Sequence, residues 1–100
     1  MKIKFKSMQI GDDYLIIITG GDIHIGAISL YEKNSFATIK KGGHKDDIIT
    51  KIVAKKIYKK LKKDVIILCG IHFDNITKDK ISKIIKKTKK ETKEWIKKQN

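Results

Sequence analysis

The residues able to do chemistry fall in three short stretches: Gly20-Gly21-Asp22-Ile23-His24-Ile25-Gly26, Gly42-Gly43-His44-Lys45-Asp46-Asp47, and Gly70-Ile71-His72-Phe73-Asp74-Asn75. The three histidines of the chain, His24, His44 and His72, are divided one to a stretch, and six of the seven glycines lie there too. Imidazole is a proton donor, a proton acceptor or a metal ligand near neutral pH. Glycine lets a backbone approach a ligand closely. Each piece alone has a plain structural role: Gly-Gly-Asp makes turns, and Asp46 or Asp47, ahead of an apolar periodic run, suits a helix cap. Their concentration in three places is what suggests a site.

Several chemistries can be weighed. Three histidines with nearby aspartates could hold a divalent metal, with His24, His44 and His72 as ligands. Their wide spacing and the lack of a CxxC pair differ from a compact zinc motif. A serine hydrolase is disfavoured, because no GxSxG elbow occurs and Ser29 and Ser35 lie in strand patterns. Neither GxGxxG nor a Walker A sequence is present. The loops best suit an anionic ligand such as a phosphate, held by helix N-termini and by Lys45. The single cysteine, Cys69, excludes an intramolecular disulfide and reads as a small buried apolar residue.

The elements that must position these loops can be read from periodicity. Lys2–Ile10 alternates apolar with lysine, as a half-buried strand does. Tyr14–Thr19 is apolar and β-branched, His24–Tyr31 and Ser35–Ile39 read as two further strands, and Val65–Cys69 as a buried one. Helical spacing runs from Ile48 to Leu61, with Asp46 as cap, and from Ile81 to Ile96, with Thr77 as cap. The expected fold is α+β, a two-layer sandwich of order ββββαβα: a mixed, mostly antiparallel five-stranded sheet with both helices on one face, forming one domain over residues 1–100. The short connections predict a meander of the first four strands. Strands two, four and five then run the same way, so the three loops that follow them meet at one sheet edge.

The net charge of +13 at first suggests nucleic acid. Every basic residue is lysine, however, and base readout or bidentate phosphate clamping usually uses arginine. Most of the excess lies on the two helical stretches, away from their apolar stripes, as on a solvated helix surface. The longest wholly apolar run, Val65–Cys69, is far short of the ~20 residues that span a bilayer. No secretory leader pattern opens the sequence, so the reading is a cytoplasmic protein with no membrane and no specific nucleic-acid partner. Both faces of strand three carry apolar residues, which predicts a homodimer.

In order and spacing, the stretches Gly20–Ala27, Gly43–Asp47 and Gly70–Thr77 resemble the three motifs of the LpdD-like small D-subunit family. These are accessory proteins of UbiD-type hydroxyaryl acid decarboxylases. The likeness covers nearly the whole chain and departs from the family pattern at Gly42, where proline would stand. It implies a small α/β protein that binds prenylated FMN or FMN and acts as its chaperone for a UbiD-type decarboxylase, an accessory subunit and not itself the enzyme. It further implies cofactor-binding roles for Gly20, Gly21, Asp22, His24, Gly26, Gly43, His44, Lys45, Gly70, His72, Asp74 and Asn75, with a divalent metal conceivable beside the phosphate. From the residues alone, a metal-dependent enzyme built on the histidines and a lysine-rich nucleic-acid-binding module remain the alternatives.

Overall fold

A computed structural model describes residues 2–41 and 46–99. The elements are β1 (Ile3–Ile10), β2 (Asp13–Gly21), β3 (Ala27–Tyr31), β4 (Phe36–Lys40), α1 (Asp46–Leu61), β5 (Val65–His72) and α2 (Lys78–Lys97). The sheet order is β1-β2-β5-β3-β4. β5 is parallel to β2 and antiparallel to β3, and the β1/β2 and β3/β4 hairpins are antiparallel. The α+β class, the element order and the mixed sheet agree with the sequence reading.

The meander does not. β5 enters between β2 and β3 and separates the two hairpins. Its Val65, Ile67 and Cys69 are fully enclosed on the helix side, and a strand this apolar gains most in the middle of a sheet. The strand directions survive the correction, since β2, β4 and β5 still run the same way. Three boundaries also move, the first being the end of β2, which continues past Thr19 to Gly21. β3 begins at Ala27, so His24 lies in the loop before it, and β5 continues past Cys69 to His72.

The inserted strand makes the β2–β3 connection the key to the site. Residues 22–26 must cross the end of β5, a gap of about 10 Å between strands two places apart. They do so in contact with it: Asp22 N–H donates to the His72 carbonyl at 3.0 Å, and Gly26 N–H donates to the Cys69 carbonyl at 2.9 Å.

One apolar core lies between the sheet and the helices. Ile16, Ile18, Val65, Ile67 and Cys69 face Ile49, Val53, Ala54 and Ile57 of α1, with Ile84 of α2 in the same cluster. The buried positions of α1 recur at helical spacing. α2 is narrower, burying Ile84, Thr88 and Thr92, and the two threonine hydroxyls donate to the carbonyls of Ile84 and Thr88 at 2.8 Å. Thr77 caps α2 as expected, accepting from Lys80 N–H at 3.2 Å. Trp95 packs edge-on to Tyr14, with ring centres 4.9 Å apart.

Among the described residues, the opposite sheet face carries no helix. Register pairs place Leu15, Ile66 and Leu30 in one row and Ile17, Leu68, Ile28 and Ile39 in the next. Ile39 is 74% exposed and Met8 58%.

Candidate functional site

The ends of β2 and β5 are locked in register, with Gly21 opposite His72. Crossing directly over them, the 22–26 loop brings two sequence-predicted histidines together. The His24 and His72 rings meet edge to face with centres 5.9 Å apart. His24 Nδ1 lies 3.1 Å from the Asp22 carbonyl oxygen, and His72 Nε2 lies 3.2 Å from Asp74 Oδ1. Gly43, His44 and Lys45 lie outside the described residues.

Three glycines are required by close approach: Gly21, at φ 66°, where a Cβ would collide with the carbonyl of His72, Gly70 and Gly26. A Cβ on Gly70 would collide with the carbonyl of His24, and one on Gly26 with the carboxylate of Asp46. Gly20 is buried inside β2, where a Cβ would meet Ile3 Cδ1 at 2.8 Å, so its role is packing. Asn75 is exposed at φ 55°, a left-handed turn conformation that asparagine tolerates. That gives it a structural reason to stand between β5 and α2.

Asp46 is the residue the sequence reading undervalued. Expected to precede α1 as its cap, it is instead the first helical residue, and only 4% exposed. Its Oδ1 accepts from Ile71 N–H at 3.0 Å and from the Cys69 thiol at 3.4 Å. Its Oδ2 lies 3.7 Å from His24 Nε2. One carboxylate thus joins the start of α1, the end of β5 and the β2–β3 loop. An aspartate at a helix start gives no sign in sequence that it reaches sideways across the fold. Burial pushes the Cys69 thiol up from its ordinary range, and the adjacent Asp46 carboxylate pushes it further. Cys69 is therefore a protonated packing residue, as its apolar surroundings in sequence suggested.

Beside this cluster opens a cavity of about 370 Å³. Asp46 and His72 stand on its polar side. Ile71, Phe73 and Ile76 from the β5–α2 segment, Ile48 and Ile49 of α1, and Ile81, Ile84 and Ile85 of α2 make the apolar wall. The periodic isoleucines of α2 read in sequence as a core stripe. Ile81 and Ile85 instead stay only half-buried and line this space.

Over residues 1–100 the chain matches the family model described as the prenylated flavin chaperone LpdD-like domain. It belongs to that family. Among curated proteins it is similar to Protein LpdD of Lactiplantibacillus plantarum (strain ATCC BAA-793 / NCIMB 8826 / WCFS1), at 38% identity over an alignment of 80 positions. That alignment covers 73% of this chain and 59% of the relative, so the chain spans somewhat over half the length of that protein. The sequence resemblance is thereby confirmed at the level of family. Among the described residues of this LpdD-like chain, no helix is long and apolar enough to cross a membrane.

Proposed function

We propose that this LpdD-like chain binds prenylated FMN or FMN at the edge where β2 and β5 end, and delivers it to a UbiD-type decarboxylase. The observation that carries this reading is the cavity. Its volume of about 370 Å³ lies within the range of roughly 300–1,000 Å³ typical of small-molecule sites. Its two characters suit a flavin: isoleucine and phenylalanine walls for an apolar ring system or prenyl group, and histidine and carboxylate groups for polar edges. Family membership supplies the ligand class.

The roles of the residues follow from their positions. Ile76, Ile81 and Ile85 would exclude water from the apolar part of the ligand. His72, His24 and Asp22 would meet its polar edge, and Asp46 would hold the loops in place. Gly43, His44 and Lys45 join this reading by sequence alone. When bound, the flavin would supply decarboxylation chemistry to the partner enzyme, and no catalytic residue is assigned to this cytoplasmic, single-domain accessory protein.

The test is anaerobic titration calorimetry with FMN and with reduced prenylated FMN, followed by transfer from the loaded protein to an apo-decarboxylase of the UbiD type. Saturable binding and transfer are expected. Ile81→Trp should fill the cavity from its half-exposed rim and weaken binding at least about tenfold, near 1.4 kcal/mol, with little change in melting temperature. Absence of binding by either flavin would sink the reading.

A second copy of the chain is the proposed occupant of the open sheet face. Five strands about 4.8 Å apart and some 20 Å long present a projected area of about 500 Å². With side-chain relief this approaches the ~800 Å² per partner of a standard interface. Light scattering at high micromolar concentration should give a dimer, and Ile39→Lys combined with Ile66→Lys should give a monomer. A wild-type monomer would leave the face to another partner and contradict self-association.

A further inference from the structure

We propose that Asp22, His72 and Asp74 form a divalent-cation site at the mouth of the cavity, selective for an ion of manganese type over alkali metals, and that this cation seats the phosphate of an anionic ligand. The second half rests on the flavin reading above; the first does not. One carboxylate oxygen from each aspartate and one imidazole nitrogen lie within 4.8 Å of one another. His72 Nε2 and Asp74 Oδ1 are already 3.2 Å apart, close to the roughly 3 Å that separates adjacent ligands on an ion with ~2.1 Å bonds. Asp22 and Asp74 are exposed, so rotation about their side-chain bonds can close the remaining distance to His72.

The backbone fixes where these side chains start. Asp22 follows Gly21, which is paired in register with His72, and Asp22 N–H donates to the His72 carbonyl at 3.0 Å. Asp74 lies two residues beyond. Donors from two strand ends therefore converge without help from a flexible partner. Two carboxylates and an imidazole are a mixed oxygen and nitrogen set, suited to first-row divalent ions. Three ligands among the described residues leave coordination positions for water or a ligand, and His72 also lines the cavity. His24 is not in this group: its Nε2 lies by Asp46. The structure thus groups one of the sequence-predicted metal histidines with two aspartates.

Charge supplies the reason for a cation. Asp22 and Asp74 stand beside His72, which lines the cavity together with Asp46, and Asp47 adds a further acid in the first turn of α1. A dianionic phosphate brought beside these carboxylates would be repelled. A divalent cation held by Asp22 and Asp74 turns that repulsion into attraction, with phosphate oxygens taking its open positions.

The probe is Mn²⁺ added to the flavin-free protein and followed by electron paramagnetic resonance. One saturable site is expected. Asp22→Asn combined with Asp74→Asn should weaken it at least about thirtyfold, roughly 2 kcal/mol, while Asp12→Asn in the distant β1–β2 turn should leave it unchanged. Because both aspartates are exposed, the double variant should melt at or above the wild-type temperature. As a variant-free check, substoichiometric Mn²⁺ should broaden the NMR signals of Asp22, His72 and Asp74 before all others. No saturable Mn²⁺ binding, undiminished binding by the double variant, or broadening elsewhere would overturn the cation site. Calorimetry with FMN in Mn²⁺ and in EDTA then separates the two halves. Tighter FMN binding with Mn²⁺ supports bridging, and equal binding overturns it. Mn²⁺ binding with neither FMN nor reduced prenylated FMN bound in either buffer overturns the flavin reading and leaves the cation site standing.

Discussion

Gly70→Ala is expected to lower stability by about 3 kcal/mol, a fall of about 15 °C in melting temperature for a domain of this size, and to abolish flavin binding. Gly70 is buried in β5, where the carbonyl of His24 lies against its Cα and an added methyl group would overlap that backbone atom. A flexible side chain could swing aside. A backbone carbonyl in a loop tied to β5 at Asp22 and Gly26 cannot move without breaking those hydrogen bonds. The loop must lift or the strand must shift, and either movement separates His24 from His72. Thermal denaturation and flavin titration of one preparation read both effects. A melting temperature within about 3 °C of wild type would show that the loop does not cross β5 as described.

The second large effect is expected at Asp46. Asp46→Ala removes the acceptor for Ile71 N–H and for the Cys69 thiol, leaving a donor at the core edge without its partner. The cost is about 2–3 kcal/mol, read as a lower urea midpoint at unchanged slope. Asp46→Asn keeps a carbonyl oxygen at the Oδ1 position and should lose less than about 1 kcal/mol. Equal destabilisation by the two substitutions would mean that the bond to Ile71 contributes little, and that Asp46 acts through its charge alone.

How far the sequence carries can be judged at particular residues. Alternation in β1, the β-branched run of β2 and the stripes of both helices are local signals, and the elements formed where those signals stood. The shared direction of β2, β4 and β5 followed from connection lengths, and it brought the loops containing His24 and His72 to one edge. The place of β5 in the sheet was not legible. Pairing partners are chosen by burial across the whole fold, and the short link of residues 22–26 looks the same whether it closes a hairpin or spans an intervening strand. The same insertion hid the reason for Gly70 and Gly26, which answer to neighbours remote in sequence. Asp46 was misread for a similar cause: a cap and a cross-fold carboxylate share the sequence Asp-Asp before an apolar run. The cavity depends on how α2 packs against α1 and the β5–α2 segment, which periodicity does not encode.

The central claim, that flavin occupies the cavity beside His72, is tested most directly by mapping amide shifts in ¹⁵N-labelled protein titrated anaerobically with reduced prenylated FMN. The expected result is that the largest changes fall on His72, Phe73, Ile76 and Ile81, with smaller ones at Asp22 and His24. Changes concentrated on Ile28, Leu30 and Ile66 of the open sheet face, or no change at saturating ligand, would contradict it.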